Sequence, residues 1–426
     1  MKVVTNKVDF ELSELRKDLP YLSTFYSDQG EFRDDVTELL AFPLANKENM
    51  PFYTVAQESC VGIAETCEGV YDAMVAAVGH AFKNRDLLLK FFDGEMLRSP
   101  AGKDFLDYAE FTFNQRSPIS QALYGRFDLA FDPVEEKITG VYEFNGDTPV
   151  MLFESTALQN NLVEQVTGGS QQQFNEYYSM MKDSLKEQSL RGKTFGVVFD
   201  GNYVEDSATC EILTQVLGEH TTCIMGDIKA LDFDHLHLDK PFVLYDYVLD
   251  GVFVLTPWEE MVESFPAAFT HWRSWCNNVV VMEPAWRWFM SNKGIFAYIT
   301  YLMDTDAIYR EKFGHLPLLR TYVDNVFTDS WVAKPKIGRL SSNITVNNNG
   351  VHAASSGNYG DTEMVYQEYV APGSVEPGKN FIIGVWMAPN NSSRSLSASA
   401  ATLCIREFES DVLEISNERF IPHIML

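Results

Sequence analysis

The sequence predicts a chain of mixed class: an α+β body with a layered α/β unit set into its middle. Three observations point there. The first 120 residues carry apolar side chains mostly at helical spacing. Residues 191–285 alternate short β-branched or aromatic runs with helical stretches. From Trp331 onward, strands and turn-rich loops take over. At 426 residues, 46% of them hydrophobic, the chain has material for two or three units with full cores. The two ends, 1–190 and 286–426, would then form one unit around the middle one.

Taken in order, Gly62–Lys83 and Arg85–Phe92 read as helices, since their apolar residues recur every three to four positions. Tyr124–Asn145 reads as two strands about a turn. Phe153–Gln165 and Gln172–Gln188 read as helices. In the middle, Thr194–Asp200, Thr222–Met225, Phe242–Tyr247, Gly251–Leu255 and Asn278–Met282 read as strands, with Ser207–Leu217 as a helix between the first two. Asn292–Met303 is helical again, and Asn347–Gly350 and Asn390–Ser399 read as mobile polar loops. Trp272, Trp275, Trp286 and Trp288 cluster around Glu283-Pro284 and read as core before pocket wall.

Charge narrows the function classes. Lys and Arg total 33 against 60 Asp and Glu, a net charge of −27, which repels phosphate backbones and argues against a nucleic-acid partner. No eighteen apolar residues stand together, so no membrane span is expected, and Met1–Leu15 lacks an apolar run of signal-peptide length. The six cysteines are scattered without a Cys-x-x-Cys, so the cytoplasm is the default compartment.

The most informative segment is Tyr124–Pro149. On its first strand Arg126 and Asp128 share one face; on its second, Glu143 and Asn145 share one, with Asp147 extending it. With Pro133–Lys137 as the link and the hairpin centred between Glu135 and Glu136, Asp128 pairs with Glu143 and Arg126 with Asn145. Two carboxylates that close require a proton or cation between them. Hard oxygen ligands of this kind suit Mg²⁺, with Arg126 beside them to hold an anion. The same face would also suit a solvated hairpin with an ordinary surface Arg–Asp pair.

Later basic residues could meet phosphate. Lys293 lies at the start of an apolar helix, where anions are favoured. Lys334 ends a strand and runs into Lys336–Asn343, a small-residue loop with amides to cradle phosphates. Val365–Tyr369 could edge a base, and Arg406 lies late in the chain. None of these is a GxxxxGK[ST] or GxGxxG signature, and Gly-x-Ser-x-Gly is absent. His235-Leu-His237 lacks further nearby ligands and reads as a polar connector.

Together these segments resemble the glutathionylspermidine synthase family. The resemblance runs from about Tyr53 to the C-terminus. It rests on Tyr124–Asp128, Tyr142–Pro149 with Glu154, Glu283–Trp286, Ser291–Lys293, Lys334-Pro335 with Gly338-Arg339, Tyr366-Gln367, Arg406-Glu407 and Arg419–His423, in that order. It implies an ATP-grasp-like fold of permuted topology, metal segment before nucleotide lysines, with 191–285 as an inserted pre-ATP-grasp-like unit. It also implies an ATP- and Mg²⁺-dependent ligase that joins a carboxylate to an amine through an acyl phosphate, of the stand-alone acid–amine type.

Carried over by position, Asp128, Glu143 and Asn145 would bind Mg²⁺. Arg126 and Arg406 would be catalytic. Lys293, Lys334, Gly338, Arg339, Ser341, Ser342, Gln367 and Glu368 would bind ATP, with Gly338–Ser342 and Ser392–Ser399 as lid segments. Thr148, Glu205, Asp206, Glu259 and Glu260 would face the carboxylate and a polyamine-like amine. The pattern departs at Gly146 and Val150, which weakens the case for glutathione as the acid, and at Leu255 and Glu260, which puts spermidine in doubt as the amine. Those departures also fit a nucleotide-binding pseudoenzyme acting through a partner, and a further alternative is a ligase modifying a peptide or protein terminus.

Overall fold

The computed structural model describes residues 1–11, 33–115, 124–169, 172–186, 190–339, 341–360, 362–390, 396–410, 412–413 and 418–426. Leu340 of the expected lid and residues 392–395 of the second lid segment lie outside them. Within the described residues the chain is mixed α/β, and no helix is long and apolar enough to cross a membrane.

A mostly antiparallel sheet dominates. Its strand order is Arg419–Ile421, Ala398–Phe408, Lys379–Pro389, Arg126–Asp132, Lys137–Asn145, with Gly373–Glu376 paired alongside Lys379–Pro389. The long helix Gln57–Lys83 packs its buried stripe (Ile63, Val70, Met74, Ala77, Ala81) against this sheet and the aromatic core. A second, antiparallel sheet runs Thr321–Tyr322, Met364–Glu368, Ser330–Pro335, Thr345–Asn348, Val351–Ala354.

The middle of the chain holds a four-stranded parallel sheet ordered Val280–Met282, Gly251–Leu255, Thr194–Phe199, Thr222–Asp227. Its strands are joined by crossovers that include the buried helix Val204–Gly218, as parallel pairing requires. The expected single strand Phe242–Tyr247 is instead two, Phe242–Leu244 and Tyr247–Val248, turning at Tyr245 (φ 56°) into a separate three-stranded sheet.

Other differences are local. The N-terminal part is not helical throughout: Lys2–Asn6 and Met50–Val55 form a sheet with His423–Met425, tying the two chain ends together. The helix expected from Gln172 begins only at Tyr177. Asn347–Gly350 is a tight hairpin turn rather than a loop, with Asn349 at φ 52° and Gly350 at φ 85°, the left-handed pair that a two-residue turn demands. Trp275, Trp286 and Trp288 are fully buried, and Trp272 nearly so; in the main core Trp288 packs edge-on to Phe105, Trp275 to Tyr108 and Trp286 to Phe113, with Trp272 tilted against Tyr108.

Candidate active site

The hairpin brings its polar face together as the alternation demands: Arg126 pairs with Asn145, and Asp128 with Glu143. The turn is centred one residue earlier than expected, with Asp132 opposite Lys137. Two bulges, after Asp128 and after Ala130, shift the register back and restore the pairing at the polar end.

Asp128 is buried and held by two arginines. Arg126 donates from Nε to Oδ1 (2.7 Å) and from Nη2 to Oδ2 (3.1 Å), and Arg406 donates from Nη1 to Oδ2 (2.6 Å). Arg406 lies two strands away. The intervening strand crosses at Gly384, where a Cβ would come within 2.4 Å of Cys404 Sγ and 3.1 Å of Arg126 Cδ. That missing side chain is what lets Arg126 lie flat across the sheet. Burial pushes the Asp128 carboxyl up, but Arg126 and Arg406 outweigh it and hold the group below its ordinary value. Arg406 is also forked onto Glu418, with Nη2 at 2.9 Å from Oε2. Arg126 uses its remaining donor, Nη1, on Val150 O (2.6 Å).

Glu143 faces Lys293, whose Nζ lies 3.1 Å from Oε2 and 3.0 Å from Gly338 O. Lys293 is the N-cap of the helix Gly294–Thr305, whose first N–H groups are already satisfied: Gly294 N donates to Asn292 Oδ1 (2.9 Å) and Ile295 N to Asn292 O (3.0 Å). The loop after Asn145 is pinned from within. Asn145 Oδ1 accepts from Thr148 N (3.0 Å), Gly146 N donates to Ser291 Oγ (2.8 Å), and Arg287 Nε donates to Gly146 O (3.1 Å). Gly146 has a packing reason: a Cβ would meet the buried Phe144 ring at 2.9 Å and Arg287 O at 3.2 Å. Asp147 does not extend the polar face. It is buried, accepting from Ser291 Oγ (2.8 Å) and pairing with Arg339 (3.1 Å).

The second sheet supplies Lys334. It is buried, with Nζ donating to Gln367 Oε1 (2.8 Å) and Tyr142 O (3.2 Å), and burial pushes its pKa down to about 8. Gln367 and Glu368 are consecutive on one strand and so face opposite ways: Gln367 is buried beside Lys334, while Glu368 is exposed. Gly338, Arg339 and Ser341 line the central cavity; Ser342 stands behind them, its N–H on Arg339 O (3.0 Å). Arg339 also reaches Glu259 (3.3 Å), which accepts from Trp288 Nε1 (2.9 Å). Glu259 therefore sits with Arg339 rather than with the other acidic residues.

One cavity of about 980 Å³ is lined by Arg126, Lys293, Gly338, Arg339 and Arg406 together with Glu143, Asn145, Glu154, Glu205, Asp206, Glu260 and Glu418, whereas Asp128, Lys334 and Gln367 are not part of its lining. Thr148 also lines it, its Oγ1 without a partner among the described residues. Burial and the neighbouring Glu205 and Asp200 push Asp206 up to about 7. Burial, Glu205 and Glu418 push Glu154 up to about 8. Both carboxyls lack sufficient nearby cations, so a cationic guest would ionise them.

Glu154, beyond its place in the resemblance, and Glu418 carried no assigned role in the sequence. Each is a lone carboxylate in an apolar or loop context, and only the fold turns them inward.

Among the described residues no three His, Cys, Asp or Glu side chains assemble as a metal cluster. Mg²⁺ is commonly held by one or two carboxylates plus water and substrate phosphates, and Glu143 with the Asn145 amide fits that donor set. Asp128 spends three of its four lone-pair directions on arginine N–H groups, leaving one on Oδ1.

The family model described as glutathionylspermidine synthase preATP-grasp matches residues 46–426. A Haemophilus influenzae protein named as an acid–amine ligase is 28% identical over 329 residues, 71% of this chain and 74% of that protein. Trypanothione synthetase of Crithidia fasciculata is 24% identical over 291 residues, 62% of this chain; the match spans only 42% of that protein. Among solved structures, a glutathione synthetase-like effector of Globodera pallida in its apo form aligns with a TM-score of 0.51 at 12% identity. That alignment covers 92% of this chain and 96% of that one, a likeness of fold.

Proposed function

The chain belongs to the glutathionylspermidine synthase family, and from that premise we propose that it is an ATP- and Mg²⁺-dependent ligase joining a carboxylate to an amine through an acyl phosphate. One observation supports the reading: a single cavity is lined by Arg126, Lys293, Arg339 and Arg406 together with the hard oxygen ligands Glu143 and Asn145 and the carboxyls of Glu154, Glu205, Asp206, Glu260 and Glu418.

The chemistry follows from what a carboxylate lacks. Its oxygen is a poor leaving group, and phosphorylation makes it a good one. Phosphoryl transfer is then mostly positioning and charge neutralisation. Bound Mg²⁺ would neutralise phosphate charge between Glu143 and Asn145. Lys293, at its helix N-terminus, and Lys334 hold ATP phosphates, while the backbone of Gly338, Arg339, Ser341 and Ser342 closes over them. Gln367 orients Lys334 and edges the base; Glu368 contributes its backbone only. Arg126 and Arg406, fixed by Asp128, steady the transferring phosphoryl group and the acyl phosphate.

The carboxylate substrate lies along Thr148, and the amine docks toward Glu205, Asp206 and Glu418. Glu260 guards the mouth, and Glu259 holds Arg339 in place. In this reading 1–190 with 286–426 form the ATP-grasp-like unit of permuted order, and 191–285 the pre-ATP-grasp-like unit.

ADP release with ATP and Mg²⁺ over a matrix of acids (glutathione, short peptides) and amines (spermidine, putrescine, amino acids), with mass spectrometry of the products, tests the reading. An adduct lighter by one water than its parts is expected. It should vanish with EDTA, return with Mg²⁺, and be lost in Arg126→Ala, with the far-ultraviolet spectrum retained. Full turnover in Arg126→Ala, or turnover indifferent to EDTA, would sink it.

A further inference from the structure

The ligase reading leaves one chemical requirement unassigned. An alkylamine is an ammonium ion at neutral pH and has no lone pair to attack with. It must lose a proton inside the cavity.

Glu154 is placed for that task. It lies on the cavity wall, 96% buried, and its Oε2 has no hydrogen-bond partner among the described residues. The backbone that presents it is unusual twice over. Met151 sits at φ 77°, a left-handed conformation costly for a methionine, and Glu154–Leu158 then forms a π-helix rather than an α-turn. The widened turn is braced by its own polar groups: Ser155 Oγ donates to Met151 O (2.6 Å), and Trp386 Nε1 donates to Ser155 Oγ (2.8 Å). The first residue of this turn is the orphan carboxyl.

The charged groups acting on Glu154 come from three directions: Glu205 from the helix Val204–Gly218, Glu418 from the segment before Arg419–Ile421, and Arg126 from the hairpin. It thus feels two further carboxylates and the arginine assigned to the acyl phosphate. Glu418 is already forked by Arg406, and Glu205 and Asp206 are half-buried at the start of their helix.

We propose that Glu154 is the general base of the amide-forming step, a role that rests on the ligase reading above. Its carboxylate takes one proton from the bound ammonium, giving a neutral amine and a protonated Glu154. The nitrogen lone pair adds to the acyl carbon, and the C–O bond to phosphate breaks. Phosphate leaves with that electron pair and takes the second nitrogen proton as hydrogen phosphate. Glu154 then returns its proton to water through the cavity. Its pKa, pushed up to about 8, suits a base working near neutrality. In the empty cavity the group keeps its proton; an arriving ammonium screens Glu205 and Glu418 and ionises it, that proton leaving to water through the cavity before the carboxylate takes one from the ammonium.

Hydroxylamine separates this step from the others, because it is uncharged at pH 7.5 and attacks acyl phosphates without a base. The full chain is given ATP, Mg²⁺ and glutathione, or the peptide that replaces it in the ADP-release matrix. Putrescine and hydroxylamine are then compared as acceptors, each at saturation.

Glu154→Gln is expected to lower the ratio of amide to hydroxamate formation by about 100-fold or more and to remove the acidic limb of the kcat profile for putrescine. Glu154→Asp should recover part of the ratio. A ratio that stays within about threefold, or a change confined to the KM for putrescine, overturns the assignment and leaves Glu154 a binding residue. No hydroxamate from the unsubstituted chain overturns the ligase reading itself, and this role with it.

Discussion

Replacing Asp128 with asparagine should destabilise the protein through one identifiable defect. The substitution is nearly isosteric, so packing is unchanged, but it removes the carboxylate that is hydrogen-bonded to Arg126. Arg406 keeps its fork onto Glu418, whereas Arg126 keeps only the Val150 carbonyl and the Trp386 ring, 5.7 Å from its guanidinium carbon. Breaking a buried ion pair costs about 3–5 kcal/mol, because the surviving charge stays desolvated. With one of the two arginines still paired, the expected loss is at the lower end, about 3 kcal/mol. Urea unfolding at pH 7 would read it as a lower midpoint at unchanged m. The double variant Asp128→Asn with Arg126→Met should recover at least half, since it leaves no orphan charge. A single-variant loss under about 1 kcal/mol, or a double variant no better than the single, would refute the argument that this pair is balanced by mutual compensation.

Two further outcomes follow from the same geometry. His423 is fully buried and burial holds its pKa down to about 3, with Phe174 N donating to Nε2 at 3.0 Å. The unfolded chain therefore binds one more proton than the folded one between about pH 6.5 and 3; this stability is complete above pH 6.5 and is lost as pH falls, by up to about 1.4 kcal/mol per unit. His423→Gln should flatten that limb of the stability–pH curve; an unchanged slope would exclude His423 as its source. Gly146→Ala should cost about 1–3 kcal/mol, because neither the Phe144 ring nor the Arg287 carbonyl has room to yield. A neutral thermal shift would mean that this loop is free to move.

Much of the site was legible because it is local. Period-two alternation puts Arg126 with Asp128 and Glu143 with Asn145 on shared faces whatever the rest of the chain does, and a short link fixes their pairing to within a bulge. Lys293 at a helix start was readable from the apolar run behind it. The Asn-Asn-Gly signal at 348–350 was also local and should have been read as a hairpin turn rather than a loop. The parallel strands of 194–282 were visible as short apolar runs with a helical segment between.

What the sequence by itself determined, then, is the set of elements and the faces of each, because backbone geometry imposes those periods residue by residue. Only the tertiary structure decided which faces meet. Asp128 reaches Arg406 across 278 residues because strand order puts Gly384 between them. Arg339 turns to Asp147 and Glu259, and Glu368 faces solvent while Gln367 meets Lys334. The Glu154 carboxyl belongs to the same class. Its proton affinity depends on desolvation and on charges from distant segments, and neither exists until the chain has closed around it.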